Sequence, residues 1–408
     1  MRRADAAALA AWLLLALLAC LPITAVADAP LRVGLLTMEP GVEFWERFGH
    51  DAILIEDRAT GEGVSYNYGF FDMDEPGFIG NFVRGRMNYL LVALPVQEDL
   101  NSYREEGRGV TVQWLNIDAA HANALAAALA ENARPENSRY RYEYYTANCA
   151  TKVRDRVDQA LGGLLEKQLS GRSQGNTYRS ESVRLAWPAK WMALGFDLGL
   201  AGPADRPLTR WEEAFIPMRL RDSLREVKLA DGRPLVQSEQ IVLPHRLPQP
   251  PVETPHWRIA ALLLGIALAT GVLMLGSRRP RLLAALALPF WLLAGVLGGV
   301  MTFLWLGSEH VFAHGNQNLL LLSPLCLLLL PGGWQVARGR AASPAYRFLL
   351  WAIAGMAAIA GFLKFLPFLP QQNLEWVLLL LPLHWALARA LDKRLETGSD
   401  PFSSRKGI

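Results

Sequence analysis

Cysteine is scarce in this 408-residue chain, which contains only Cys20, Cys149 and Cys326. Only Cys149 lies in the polar stretch between about residues 28 and 255, so that stretch cannot form a disulfide framework. The same stretch lacks long apolar runs, which indicates a globular domain. The formal net charge of +3 gives no indication of a nucleic-acid partner, and the chain contains no internal repeat or low-complexity tract.

Long apolar runs begin only after Trp257, where Leu, Ala, Gly, Val and Trp dominate. Each run approaches the roughly 20 residues that cross a bilayer. The runs lie near 257–276, 283–306, 317–333, 348–366 and 374–391. The third is short and interrupted by proline. We therefore predict a five-span α-helical membrane domain over 257–391, followed by a tail over 392–408.

Basic residues follow alternate runs and predict the orientation of this domain. They are Arg278, Arg279 and Arg281, then Arg338, Arg340 and Arg347, then Lys393, Arg394, Arg405 and Lys406. The other two connections, GSEHVFAHGNQN and PFLPQQN, contain no lysine or arginine. The positive-inside rule then predicts a cytoplasmic C-terminus and an exported polar domain.

The N-terminus has two arginines, an apolar run and then small residues, a pattern typical of a secretory signal. The letters AVA before Asp28 fit a signal-peptidase site, so we predict a signal peptide over 1–27. A lipoprotein cleavage box ending at Cys20 and an uncleaved anchor are the alternatives. All three export the polar domain, in agreement with the basic residues.

Strand and helix patterns are mixed in the exported domain. DAILIED and VSYNYGF surround the turn RATGEG, which predicts a β-hairpin with His50 at the entrance of its first strand. One helix is predicted from its N-cap Asp118 to Pro135, and another from Cys149 to Gly162. These patterns predict an α+β domain over 28–165, followed by an accessory segment and proline-rich linker over 166–255.

Cys149 begins one of these predicted helices, with Asn148 as the capping residue. Helix N-termini carry unpaired N–H groups and partial positive charge, which predicts a lowered pKa for the thiol. The same N–H groups can stabilise an oxyanion. A buried, inert thiol is the ordinary alternative for a free cysteine.

A nucleophilic cysteine needs a base, most often histidine. The exported domain contains His50, His121, His245 and His256, of which only His50 lies at a strand end in the predicted core. A third residue should orient the imidazole. The hairpin brings Asn67 and Asp72 back beside His50, and we favour Asn67 because it lies within the strand. A hairpin side chain that only faces solvent or a turn is the alternative.

A histidine that opens a hairpin, followed about a hundred residues later by Asn-Cys at a helix start, resembles the circularly permuted papain-like fold of lecithin:retinol acyltransferase and its relatives. FGHDAILIED, YNYGFFD, NFVRGRMNYLL and YYTANCATKVRD are similar to the N-terminal periplasmic domain of the bacterial lipoprotein N-acyltransferase family Lnb. HVFAHGNQNLLLLSPL resembles that family's transmembrane domain. The resemblance extends over about residues 30–390.

This resemblance implies a papain-like (NlpC-type) catalytic domain in the periplasm, anchored in a bacterial inner membrane. It implies that His50 deprotonates Cys149, which takes an acyl chain from a membrane phospholipid as a thioester. The N-terminal amine of a diacylglyceryl-modified lipoprotein then takes the chain, and no cofactor is needed. A cell-wall cysteine peptidase of NlpC type and a non-enzymatic membrane-anchored binding protein remain alternatives.

Further candidates for substrate binding lie between His50 and Cys149 in the sequence. Arg84 and Arg86 are predicted to meet a lipid phosphate, or to form an ordinary exposed basic loop. Tyr144 and Tyr145 are predicted to line an acyl pocket or donate to the oxyanion, with plain core aromatics as the alternative.

The connection between the second and third runs carries an unusual polar cluster, Glu309, His310, His314, Asn316 and Asn318. His310 and His314 are four residues apart and would share a face of a helix. Polar clusters at a membrane surface suggest function. A metal site, a polar floor for the lipid ester or lipoprotein amine, and hydrogen bonding that satisfies helix ends are the three interpretations. We carry forward substrate binding without a metal ion.

Overall fold

The computed structural model describes residues 31–392. The predicted signal peptide over 1–27 lies outside the described residues, as does the predicted tail beyond Asp392.

A seven-stranded antiparallel sheet forms the centre of the N-terminal half. Its strands are β1 (Leu31–Met38), β2 (His50–Asp57), β3 (Gly63–Phe70), β4 (Asn88–Pro95), β5 (Val110–Leu115), β6 (Arg139–Arg141) and β7 (Val236–Leu243). Their order across the sheet is β6-β4-β3-β2-β1-β5-β7. The predicted hairpin is β2–β3, in which Ala52 pairs with Asn67.

Nine α-helices accompany these strands between residues 31 and 243. They are α1 (Phe78–Val83), α2 (Val96–Glu106), α3 (Ala119–Asn132), α4 (Cys149–Ala160), α5 (Leu164–Leu169), α6 (Tyr178–Ala186), α7 (Lys190–Gly199), α8 (Arg210–Glu213) and α9 (Pro217–Leu224). The predicted N-cap of α3 is confirmed, because the Asp118 carboxylate accepts from the N–H of His121 at 2.9 Å. α4 ends just before Gly162 and Gly163, both of which have positive φ, as predicted.

Alternating side chains of the sheet supply two cores. Leu35 and Ile53 face α3 and α4, whereas Leu36 and Leu54 face α2. The domain is therefore a mixed α/β domain with helices on both faces of an antiparallel sheet. This arrangement matters for the site because α2 and α4, which are far apart in sequence, both pack against the β2–β3 hairpin.

Strand β7 comes from the segment predicted to be accessory, yet it pairs along β5 and completes the sheet. The division proposed at residue 165 remains a prediction, and residues beyond it contribute to the same sheet.

The C-terminal half is helical. Its helices are α10 (Arg258–Arg278), α11 (Pro280–Leu306), α12 (Leu329–Ala337), α13 (Pro344–Phe362) and α14 (Leu374–Leu391). Among the described residues four helices are long and apolar enough to cross a membrane, namely α10, α11, α14, and α13 extended to Phe365. A bent pair, Val311–Leu320 and Pro324–Ala337, makes a fifth span if its 45° break is counted within one crossing. The break lies in the proline-interrupted third run.

Candidate active site

The start of α4 is held by its capping residue. The Asn148 amide oxygen accepts from the N–H of Thr151 at 2.9 Å, and the Thr151 hydroxyl accepts from the N–H of Asn148 at 2.8 Å. The Asn148 amide nitrogen donates to the carbonyl oxygens of Tyr144 at 3.0 Å and Phe215 at 2.8 Å. Asn148 therefore fixes both the helix start and the loop before it, and Cys149 is the first helical residue as predicted.

Cys149 lies against the end of the β2–β3 hairpin. A Cβ built on Gly69, whose φ is +101°, would lie 3.5 Å from Cβ of Cys149. The β2–β3 pairing ends at Ala52 and Asn67, two residues from His50 and Gly69. The main-chain N–H of Asp51, the residue after His50, donates to the Cys149 thiol. His50 and Cys149 therefore lie at the same end of the hairpin.

Burial raises the pKa of the Cys149 thiol to about 12, and the nearby carboxylate of Asp51 raises it further. Hydrogen bonds from the main chain of Asp51, Ala150 and Cys149 itself act in the opposite direction. The prediction that the helix N-terminus would give a lowered thiol pKa is wrong here, because desolvation of the thiolate outweighs those main-chain donors.

His50 is oriented by a chain of hydrogen bonds. Its Nε2 lies 3.0 Å from the Asn67 amide oxygen, and the Asn67 amide nitrogen donates to the Asp99 carboxylate at 3.0 Å. A carboxylate only accepts, so Asp99 fixes the orientation of the amide. The amide oxygen then accepts from Nε2–H, which leaves Nδ1 of His50 with its lone pair.

Burial lowers the pKa of His50, against the opposing effect of the Asp99 charge. A neutral imidazole with an unprotonated Nδ1 is the form that acts as a general base.

Asp99 is a site residue that sequence reasoning missed. It is buried in the first turn of α2, where acidic residues are common because they complement the helix dipole. The available signal was its spacing, since Asp99 lies three residues after Val96 and four before Tyr103, on the apolar side of the helix. Asp72, the other candidate partner for His50, is exposed and accepts from the N–H of Asp74 at 2.9 Å.

Tyr140 is a second residue that the sequence did not single out. Its hydroxyl is buried without a hydrogen-bond partner among the described residues, and it lies 4.0 Å from the position of a Cβ on Gly69. Burial raises the pKa of Tyr140, and the neighbouring Cys149 raises it further, so the hydroxyl keeps its proton. An unused donor therefore lies at the same glycine as the thiol.

The two tyrosines predicted from the sequence have other contacts. The Tyr144 hydroxyl lies 2.7 Å from Nδ1 of His310, in the membrane half. The Tyr145 hydroxyl lies 2.8 Å from the Ser182 hydroxyl, and its ring is buried between Tyr178 and other aromatics. Both hydroxyls are thus engaged away from the thiol.

Arg86 and Glu309 join the two halves of the chain. Nε of Arg86 lies 2.7 Å from Oε1 of Glu309, and Nη2 of Arg141 lies 2.6 Å from Oε2 of the same carboxylate. The guanidinium of Arg84 is exposed and donates to the carbonyl oxygen of Gly80 at 3.3 Å. Of the two arginines predicted to meet a lipid phosphate, only Arg84 lacks a carboxylate partner among residues 31–392.

The connection between the second and third apolar runs, residues 307–318, is called the outer loop here. Its two histidines have different surroundings. His310 and His314 flank a short 3₁₀ turn, Val311–Ala313, so the prediction that they share an α-helical face is wrong. Nε2 of His310 lies 3.1 Å from the carbonyl oxygen of Phe82, whereas Nε2 of His314 lies 3.1 Å from that of Ser308 in its own loop. No group of three or more His, Cys, Asp or Glu in the described part of the chain is placed to hold a metal ion.

Asn316 and Asn318 are buried and tie the membrane half to α7. Their amide nitrogens donate to the carbonyl oxygen of Leu198 at 2.9 and 2.8 Å. Gln371 and Asn373 in turn donate to the amide oxygens of Asn316 and Asn318, at 2.8 and 2.7 Å. Both asparagines have their hydrogen bonds satisfied within the protein.

Comparison with known families gives two matches. The Lnb N-terminal periplasmic domain matches residues 25–184, and the Lnb transmembrane domain matches residues 250–391. No curated protein matches the chain. No solved structure matches it either.

Proposed function

Because this chain belongs to the Lnb family, with the periplasmic domain before the transmembrane domain, we propose that it is a lipoprotein N-acyltransferase that works through a thioester on Cys149. The observation that carries the proposal is the His50–Asn67–Asp99 chain of hydrogen bonds, which orients His50 at the end of the hairpin that Cys149 contacts. The proposal includes a circularly permuted papain-like fold for the periplasmic domain. It also includes a bacterial inner-membrane location and a cytoplasmic C-terminus.

In the first half-reaction, Sγ of Cys149 attacks the carbonyl carbon of a lipid ester while Nδ1 of His50 takes the thiol proton. The raised pKa of the thiol and the lowered pKa of the imidazole favour a neutral pair at rest. Proton transfer therefore accompanies formation of the C–S bond rather than preceding it.

The tetrahedral intermediate carries a negative oxygen. The main-chain N–H of Cys149 at the helix start and the Tyr140 hydroxyl are the donors we assign to this oxyanion. Collapse breaks the ester C–O bond, and the leaving alkoxide takes the proton from His50. The products are a thioester on Cys149 and a lyso-lipid.

In the second half-reaction, the α-amine of a diacylglyceryl-modified lipoprotein attacks the thioester carbon. The amine proton passes to His50 and then to the leaving sulfur, so the thiol is restored and an amide is formed. No cofactor enters this sequence. The periplasmic domain above a membrane domain suits a phospholipid donor and a lipid-anchored acceptor.

Acyl capture tests this proposal. The full chain is incubated in vesicles with phospholipid that carries a labelled acyl chain, and we expect a hydroxylamine-sensitive label on the Cys149 peptide. Cys149→Ala should abolish the label, whereas Cys326→Ala, which changes a buried thiol of the membrane half, should leave it unchanged. A second arm supplies the labelled ester only on a diacylated lipopeptide, which separates the two sources of acyl chain.

The proposal is wrong if Cys149 acquires no label in either arm and the Cys149→Ala protein still N-acylates the lipopeptide. Hydrolysis of a cell-wall peptide without acyl capture would instead support the peptidase alternative.

A further inference from the structure

An apolar surface borders the candidate site and is left uncovered by the described residues. We call it the aromatic surface, and it comprises the half-buried rings of Phe71 and Phe78 together with the exposed side chains of Phe44, Trp45, Phe70, Met73, Ile79, Phe82 and Val83. Its rings form a continuous row, with centroids 6.1 Å apart for Trp45–Phe71, 5.6 Å for Phe71–Phe78 and 6.4 Å for Phe78–Phe82. Contiguous exposed apolar patches of this kind mark interaction surfaces.

The aromatic surface is continuous with the periplasmic end of the membrane domain. The carbonyl oxygen of Phe82 accepts from Nε2–H of His310 at 3.1 Å, and that of Arg84 accepts from the N–H of Glu309 at 2.8 Å. Glu309 is only three residues beyond Leu306, the last residue of α11. Three extended residues span at most about 11 Å, so Phe82 lies close to the point where α11 leaves the hydrocarbon.

The exposed residues at that end of α11 include Trp305 and Leu306. Tryptophan is enriched where helices cross the interface between hydrocarbon and head groups. The aromatic surface therefore begins at the depth of the head groups, and its side chains are of the type found there.

We propose that the aromatic surface inserts into the outer leaflet and contacts the acyl chains of membrane phospholipid. Burial of these side chains in hydrocarbon removes apolar area from water. Asp72, Asp74 and Glu75 lie within the same stretch of chain and Arg84 directly follows it, so acidic groups outnumber basic ones over 72–84. Apolar burial and not attraction to anionic lipid therefore drives the contact. The insertion brings Gly69, which directly precedes Phe70, and hence the Cys149 thiol, down to the level of lipid esters.

This proposal does not require acyl transfer at Cys149, and its test is run both on the wild-type chain and on Cys149→Ala. The full chain is reconstituted in phosphatidylcholine vesicles containing a phosphatidylcholine with a photoreactive diazirine on one acyl chain. After irradiation, labelled peptides are mapped by mass spectrometry. We expect label on residues 70–83 and 44–48 in both proteins, with the transmembrane helices as the internal standard.

Two substitutions give a matched comparison. Ile79, which is 74% exposed, belongs to the aromatic surface, whereas Ile241, which is 72% exposed, lies on the edge strand β7 at the far side of the sheet from β3. Ile79→Asp should lower the label on 70–83 at least threefold, and Ile241→Asp should leave it unchanged. Both side chains are solvent-facing, so neither substitution empties the core.

The proposal is overturned if residues 70–83 of the wild-type chain acquire no more label than the β7 peptide, 234–246. It is also overturned if they acquire label only after an unlabelled diacylated lipopeptide is added, because the resting protein then does not insert this surface into the bilayer. Loss of acyl capture at Cys149 together with retained labelling of 70–83 would refute the proposed function and leave the membrane contact standing.

Discussion

The Tyr144 hydroxyl donates a hydrogen bond to Nδ1 of His310 across 2.7 Å, and this contact ties the membrane half to the loop that positions Cys149. The direction follows from Nε2 of His310, which must carry the proton because it faces the carbonyl oxygen of Phe82. The Tyr144 carbonyl oxygen accepts from Asn148, the N-cap of α4. A displacement of the outer loop is thus transmitted to the start of α4 through the hydrogen-bonded residues His310, Tyr144 and Asn148.

His310→Ala should loosen this connection, whereas His314→Ala should not. Within residues 31–392, His310 has hydrogen-bond partners in the periplasmic domain at Phe82 and Tyr144, whereas the hydrogen bond of the His314 ring is to a carbonyl oxygen of its own loop. We expect His310→Ala to speed hydrogen exchange at 82–86 and 143–149 and to slow acyl capture about tenfold, since small misplacements of a nucleophile are costly. Equal effects of the two substitutions would show that the loop acts by another route.

The hydrogen-bond chain behind His50 predicts a rescue. Asn67→Asp places the carboxylate of residue 67 in contact with that of Asp99, so one of the two must take a proton. The hydrogen bond that orients the His50 imidazole is then disturbed. We expect at least a tenfold loss of acyl capture. Adding Asp99→Asn restores one carboxylate and one amide in exchanged positions, with the new carboxylate still accepting from Nε2–H.

The double variant should therefore recover most of the lost rate. The acid limb of its pH–rate profile should move to higher pH, because a carboxylate next to the imidazole raises the pKa of His50. Rates are measured as thioester formation between pH 5 and 9. If the double variant is no faster than Asn67→Asp alone, the relay from Asp99 through Asn67 to His50 is not what orients the base.

Local sequence patterns were sufficient to predict the thiol at a helix start and the contact between His50 and Asn67. An N-cap, a polar turn and two alternating strands each depend on neighbours within about 20 residues. The spacing of Asp99 indicates the apolar side of α2, but no local pattern predicts that Asp99 reaches Asn67 or that Tyr140 reaches Gly69, because both contacts depend on how α2 and β6 pack on the sheet. The sign of the shift in the thiol pKa was missed for the same reason, since burial is a tertiary property.

The contacts of the outer loop also depend on tertiary packing and could not be predicted from local sequence. From the sequence, Asn316 and Asn318 fit a substrate floor as well as hydrogen bonding that satisfies helix ends, because polar side chains near a membrane suggest function. Their partner, the carbonyl oxygen of Leu198, is more than 100 residues away in sequence. Only the folded chain shows that these amides are used to hold two parts of the protein together.

The raised pKa of Cys149 predicts its reactivity in the free protein. Only the thiolate is alkylated, and an acid whose pKa is about 12 remains protonated at neutral pH. The rate of iodoacetamide labelling at the Cys149 peptide should therefore rise about tenfold per pH unit from pH 7 to pH 10 without a plateau. Unfolded protein, whose thiol has an ordinary pKa of about 8.5, should level off within that range. A plateau below pH 8 in the folded protein would mean that a preformed thiolate is present.

Tyr140→Phe separates catalysis from stability. The Tyr140 hydroxyl is buried and has no hydrogen-bond partner within residues 31–392, so its removal relieves a desolvation cost. We therefore expect thermal stability to be unchanged or slightly higher. Loss of an oxyanion donor should slow acyl capture about 100-fold. Tyr145→Phe is the matched control, because its hydroxyl is bonded to Ser182 and lies in an aromatic core. That variant should lose about 1 kcal/mol of stability with little change in rate, and the reverse pattern would remove Tyr140 from the mechanism.

Alanine substitutions at two glycines of nearly identical conformation, Gly85 and Gly61, test the contact between the periplasmic domain and the outer loop. Gly85 has φ +73° and Gly61 has φ +74°, so an alanine at either position carries the same left-handed backbone strain of about 1–2 kcal/mol. A Cβ on Gly85 would lie 3.1 Å from main-chain atoms of Glu309 and His310, whereas no atom of the described part of the chain lies within 4 Å of a Cβ on Gly61.

Gly85→Ala should therefore push the outer loop away from the periplasmic domain, and Gly61→Ala should not. We expect both variants to lose similar thermal stability in the periplasmic domain, but only Gly85→Ala to expose 307–314 to protease and to slow acyl capture. Limited proteolysis of the full chain in vesicles measures the first effect and thioester formation the second. If the two variants are cut equally at 307–314, the close approach at Gly85 does not hold the halves together.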